Sequence, residues 1–234
     1  MYNNKLNLRN IIVKAICLAV ITMFSGCGNG YENYYCANTI ENSPANTDLS
    51  KSEMDVVKYL FKRNKLNYNK YQFTRFQKDE LGYHHIRCFQ FVNGLMVFTS
   101  DVIFHFDQND NYYYLSGDLI NTINLNTRQS MIQDEVAEMF INIVKHDEIY
   151  LEYLEFLVEI AKVDKTVEVI RIEDIIEGCF DFEFGYYDLN AGSSYTYEKY
   201  TKAWKIKSSK YDYPFAYIND NNSEIIYYNN GIEF

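Results

Sequence analysis

Basic side chains are scarce in this chain: 22 Lys and Arg stand against 32 Asp and Glu, a formal charge of -10 over 234 residues. That balance excludes a nucleic-acid partner, because binding to phosphate rests on clustered cations. No apolar run reaches the roughly 20 residues that a membrane-crossing helix needs. The five cysteines form no Cys-x-x-Cys and no Cys/His spacing of the zinc type, so no structural metal is expected. There is no Gly-x-Ser-x-Gly elbow and no glycine motif that would cradle a phosphate. Acidic pairs such as Glu152 with Glu155, or Glu173 with Asp174, lack a neighbour that would move a pKa toward neutrality, and read as solvated surface. Neither a catalytic group nor a cofactor is expected. What the chain does have is apolar mass: 47% hydrophobic and 17% aromatic residues, enough for a real core and too much for disorder.

The charges are unevenly placed. Lys5, Arg9 and Lys14 are the only ones before Glu32. A basic start followed by the apolar stretch from Ile11 to Phe24 is the pattern of an export signal, too short for an anchor. Phe24-Ser25-Gly26-Cys27 then resembles the lipobox of bacterial lipoproteins, with Phe24 where a Leu is more usual. The resemblance implies cleavage before Cys27 and acylation, palmitate included, of its thiol; simple secretion with cleavage near Gly26 or Gly28 is the alternative. Residues 1–26 are thus expected as a signal peptide, which leaves 19 basic and 32 acidic residues, a formal -13. The expected location is the cell envelope: the outer membrane in a Gram-negative host, otherwise the outer face of the plasma membrane.

Residues 27–48, Asn-rich with Pro44 and no apolar period, read as a flexible tether. Cys17 leaves with the signal, and Cys36, Cys88 and Cys179 remain beside Cys27. Three cannot all pair. With Cys36 in the tether and Cys88 on a strand, free or buried thiols are the expectation, although an oxidising compartment allows one disulfide.

Beyond the tether, Ser50-Lys51-Ser52-Glu53 fits a capping box, and Met54, Val57 and Phe61 follow at helical spacing. The period then changes to two over Tyr71 to Gln77, His84 to Val92, Leu95 to Asp107 and Asn111 to Ser116. Asn93-Gly94 marks a hairpin, because a type I′ turn needs positive φ twice and both residues tolerate it. The plan then repeats. Ser130-Met131-Ile132-Gln133 is a second capping-box candidate ahead of Ile132, Val136, Phe140 and Val144, and Tyr150 to Ala161 predicts another helix. Strands are expected at Val167 to Ile172, Phe180 to Phe184, Ala203 to Lys207, Phe215 to Asn219 and Glu224 to Tyr228. The fold class is α+β, as two successive units of a helix with an antiparallel sheet, over residues 49–125 and 126–234.

The first unit carries a specific series: His85-x-Arg87, the Asn93-Gly94 turn, Val97-Phe98, His105-x-Asp107 and Ser116-Gly117-Asp118-Leu119. It resembles the fungalysin/thermolysin propeptide (FTP) domain. Met96 replaces a common proline and Cys88 a common aromatic. The run Lys202 to Ile206 with Phe215 to Tyr228 is similar to the last strands of a PepSY domain, which often follows FTP. Residues 147–200 depart from that pattern. The resemblances imply cystatin-like/PepSY-like units and a propeptide without its protease, since the zinc-binding His-Glu-x-x-His of thermolysin-type enzymes is nowhere in the sequence.

His84 and His85 point to opposite faces of a strand and cannot clasp one metal. His105 and Asp107 share a face, and with Arg87 the resemblance makes them a structural polar cluster. Ile232, Glu233 and Phe234 could enter a protease cleft, ending in a carboxylate behind a bulky apolar residue; the alternative is a frayed end. The function expected is that of a membrane-tethered, non-enzymatic binding protein, inhibiting or helping to fold a thermolysin-type metalloprotease. The alternative is a surface lipoprotein that binds another envelope or extracellular ligand with the same fold.

Overall fold

Ser50 opens the first helix. Its hydroxyl accepts the Glu53 N–H at 3.3 Å, and the Glu53 carboxylate accepts the Ser50 N–H at 2.8 Å. This helix, α1 (Lys51–Arg63), turns Val57, Leu60 and Phe61 inward. The computed structural model describes residues 36–192 and 199–232. Cys27 with the expected signal, and Glu233 and Phe234, lie outside those residues.

After α1 the chain makes four strands, β2 (Tyr71–Lys78), β3 (His84–Val92), β4 (Leu95–Phe106) and β5 (Tyr112–Ser116), antiparallel in succession. Asn93 and Gly94 turn the β3–β4 hairpin at φ 53° and 82°. A Cβ on Gly94 would touch nothing, so glycine serves the backbone angle there. Helices α2 (Gln133–Lys145), α3 (Glu148–Val163) and the short α4 (Ile172–Ile176) follow. Then come β6 (Cys179–Asp188), β7 (Tyr200–Ser208), β8 (Phe215–Asn219) and β9 (Ile225–Asn229), again antiparallel in succession.

Four local expectations need correction. Ser130 does not cap α2: the helix begins at Gln133, where Glu135 accepts the Ile132 N–H at 3.0 Å. The Ser130 and Met131 N–H groups donate instead to the buried carboxylate of Asp220 at 2.9 and 3.0 Å. Val167 to Ile172 is not a strand. Its apolar residues lead into α4, which buries Ile175 fully, with Ile170, Ile172 and Ile176 packed against the same core. The tether expectation gives way at Cys36, where β1 (Cys36–Thr39) pairs in parallel with β6. Every residue of β1 is exposed, so no apolar pattern marks it. Its backbone ladder is fastened by a disulfide between Cys36 and Cys179, whose Cα atoms are 4.4 Å apart, against the expectation of free thiols. Cys88 is free and buried.

All nine strands belong to one sheet, in the order β2-β3-β4-β6-β7-β8-β9, with β5 beside β4 and β1 beside β6. The fold is mixed α+β, its sheet largely antiparallel, with four helices among the described residues. Each half keeps its own core on the helical side. In the first, the Phe61 ring lies 5.2, 4.8 and 5.9 Å from those of Phe73, Phe104 and Phe106. In the second, Val136, Phe140 and Val144 of α2 meet Phe180, Phe182, Trp204 and Ile206. The halves join where β4 runs parallel to β6, Met96 opposite Gly185 and Val97 opposite Tyr186. Val92, Val97, Ile120, Ile123 and Tyr186 fill the space between the two cores.

Gly185 makes this join permissible. A Cβ there would stand 2.5 Å from the Met96 carbonyl and 2.9 Å from the Phe98 ring. Gly185→Val is expected to lower stability by at least the roughly 1–3 kcal/mol of an overpacked core site, read as a lower urea midpoint. A wild-type midpoint would show that the join is slack.

Candidate functional site

The helix-free side of β3 and β4 carries a chain of polar groups. His85 and His105 stand directly opposite each other on the two strands, with their Nδ1 atoms 2.7 Å apart. The outer nitrogen of His85 lies 3.2 Å from Asp79 Oδ2, and that of His105 lies 2.9 Å from Ser116 Oγ. A carboxylate only accepts, so His85 carries its proton on Nε2 and accepts at Nδ1 from His105, whose Nε2 accepts from the Ser116 hydroxyl. One added proton can be absorbed by reversing the Ser116 bond. Two would set N–H against N–H at the centre.

Each member is held by its local fold. Asp79 sits at the β2–β3 turn, where its carboxylate accepts the Leu81 and Tyr83 N–H groups at 2.9 and 2.8 Å. Burial works to raise its pKa, but these bonds and that of His85 outweigh it, holding the carboxyl below the usual range. Ser116 ends β5 just before Gly117, whose φ is +87° and whose absent Cβ would meet the Asp101 carbonyl at 2.7 Å. The Ser116-Gly117-Asp118-Leu119 run is therefore the point at which the chain leaves β5 pressed against β4. It is held further on by Gln90, whose side-chain amide bonds both the N–H and the carbonyl of Ile120. Burial, then the His85 charge, pushes His105 down from its ordinary value.

Of the polar cluster expected from sequence, only His105 belongs to this chain. Arg87, on the same face, forms a two-pronged pair with Asp101, which holds its guanidinium protonated. Asp107 closes the β4–β5 turn, accepting the Asn109 and Asn111 N–H groups, both at 2.8 Å. Asp79, His85 and Ser116 are the members that the expected cluster left out. Their signals were the turn position of Asp79 and the Ser-Gly pair. Ile232 packs against the second core, and its N–H donates to Asn230 Oδ1 at 3.1 Å. Its expected companions, Glu233 and Phe234, lie outside the described residues, as does Cys27. Among the described residues no group of three or more His, Cys, Asp or Glu is placed to hold a metal.

Beside the histidines, β5 pairs with no strand but β4 among the described residues, and apart from Tyr112, whose N–H donates to Asn64 Oδ1 at 2.8 Å, no strand covers its outer edge. Tyr113 and Tyr114 are exposed there, their rings 6.2 and 5.5 Å from that of His105. A strand edge with amphipathic rings is suited to docking an extended chain.

Comparison with known proteins falls on this region. The Fungalysin/Thermolysin Propeptide Motif matches residues 69–119. Bacillolysin of Bacillus amyloliquefaciens is 42% identical over 52 residues, 22% of this chain and 10% of that protein. Bacillolysin of Bacillus subtilis (strain 168) is 33% identical over 86 residues, 35% of this chain and 16% of that protein. The similarity thus spans under a fifth of those relatives, and it is the region of β2 to β5 that resembles a thermolysin-type propeptide.

The imidazoles set a pH dependence. His105, and His84 through burial and the nearby Lys78 charge, are held below the ordinary 6.5. The unfolded chain therefore binds more protons just below that value, so stability is full above about pH 6.5 and is lost as pH falls through the lowered folded values. Melting temperature should drop between pH 7 and pH 5, and less steeply in His105→Gln. Parallel profiles for the two proteins would remove His105 as a cause.

Proposed function

We propose that this chain is a non-enzymatic binding protein that inhibits, or assists the folding of, a thermolysin-type metalloprotease in the manner of a propeptide. The observation that carries this reading is the coincidence of the propeptide motif, residues 69–119, with a part of the sheet where the edge of β5 lies beside the histidine cluster. No His-Glu-x-x-His occurs in the sequence. The finer reading is of two cystatin-like units, the second PepSY-like. Cys27 is their lipid anchor to the envelope, which would confine the protein to a surface and raise its effective concentration for a partner on that surface.

A second reading, a surface lipoprotein that binds another envelope or extracellular ligand, has one observation in its favour. On the helix-free side of the second half, Tyr217 is ringed by Phe98, Tyr187 and Phe215 at 5.1, 5.0 and 5.9 Å. Such an aromatic face can seat an apolar or sugar-like surface.

Titrating the full chain into bacillolysin and following peptide hydrolysis separates the two. Inhibition is expected, weakened about tenfold by Tyr113→Ala with Tyr114→Ala if these rings anchor the contact. Undiminished hydrolysis and unchanged refolding yield of the protease at a large molar excess would overturn the first reading.

A further inference from the structure

Helix α3 has more apolar residues than its buried side uses. Tyr150 and Leu154 are buried, and Leu157 packs against the core with them. Five others, Ile149, Tyr153, Phe156, Ile160 and Val163, recur at spacings of four, three, four and three. At about 100° per residue they form a second stripe, roughly 110° around the axis from the buried one. It faces solvent: Ile149 is 52% exposed, Phe156 59% and Val163 90%. Alternating three- and four-residue spacing is the seam by which one helix packs along another, side chains interleaving. This segment, residues 147–200 of the sequence, is also where the likeness to the PepSY pattern fails, and it lies outside the propeptide motif.

Charge says what the seam fits. Glu148, Glu152, Glu155 and Glu159 form a ridge along its outer flank, about 90° from the stripe on the side away from the core. Lys162 engages Glu159 at 2.5 Å. Among the described residues no cation is paired with the other three. We propose that this face of α3 is the docking seat for a basic amphipathic helix of another protein, one that lays an apolar seam on Ile149, Tyr153, Phe156, Ile160 and Val163 and sets Lys or Arg against the glutamate ridge. A second copy would bring the same acidic ridge, on a chain of formal charge -10. An anionic lipid surface would be repelled by it as well.

The probe is a fluorescent 21-residue helical peptide with Leu at three- and four-residue spacing and Lys on both flanks, with a twin carrying Glu in place of Lys. Titrated with the full chain, the Lys peptide is expected to bind, more weakly as salt rises, and the Glu peptide not. Phe156→Glu should weaken binding at least tenfold while the circular dichroism spectrum stays wild type. Glu148→Lys, Glu152→Lys and Glu155→Lys together should transfer binding to the Glu peptide, a gain that misfolding cannot produce. Neither variant should alter inhibition of bacillolysin, which keeps this test separate from that of the propeptide reading. Absence of Lys-peptide binding, or equal binding by Phe156→Glu, would overturn the proposal. So would self-association in sedimentation, or binding to phosphatidylglycerol vesicles, that Phe156→Glu abolishes, since either would assign the face to another occupant.

Discussion

The architecture turns on the short parallel contact between β4 and β6. Two ladder pairs, Met96 with Gly185 and Val97 with Tyr186, join β4 to β6, yet they merge two helix-covered halves into one sheet. So brief a ladder cannot hold by hydrogen bonds alone, each of which contributes about 1 kcal/mol net. It is supported on both faces: Val97 and Tyr186 lie with Ile120 and Ile123 on the helical side, and Met96 and Phe98 lie with Phe91 and Ala203 on the other. The strap after β5 is drawn over the helical side of the join by two side-chain amides, Gln90 on Ile120 and Asn93 on the Ile123 carbonyl at 2.8 Å. Asn93 thus sets the hairpin and anchors the strap.

The second half rests on one buried charge pair. Asp220 is 1% exposed and accepts from Ser130, Met131, the Trp204 indole at 3.0 Å and Lys202 at 3.0 Å. Burial opposes its charge, but the donated bonds together win, and the carboxyl stays below the usual range. Breaking one partner of such a pair is far more costly than the pair is worth against an apolar replacement, because it strands the other charge. The node ties the entry to α2 to the end of β8, and so fixes where the helical layer meets the sheet.

Most of the strands were legible in the sequence because each buries one face, and burying one face forces period two; β3 and β8 match their expected spans from end to end. The elements that were not legible are those held by something other than side-chain burial. β1 is polar and exposed, and is defined by a backbone ladder and a disulfide whose partner is 143 residues away. The residues leading into α2 are held by Asp220, which accepts the Ser130 and Met131 N–H groups from about 90 residues along the chain, beyond the reach of local reading. Lys202 did leave a trace, since it falls in register with the inward Trp204 and Ile206, where a lysine demands a partner. The histidine pair was half visible: alternation put His85 and His105 on definite faces, but only the β3–β4 register, shifted between Phe89 and Phe91, shows that they are opposite each other.

The disulfide also has a mechanical meaning. Cys36 and Cys179 begin two parallel strands, and β6 is the middle strand of the sheet's main path. A pull on the chain ahead of Cys36 is passed through a covalent bond to Cys179, bypassing the β1 ladder. Tension then enters at the centre of the sheet, where strands flank β6, instead of peeling the fold open from an edge. A body drawn along by its N-terminal end in flowing medium would be gripped at the middle of its sheet.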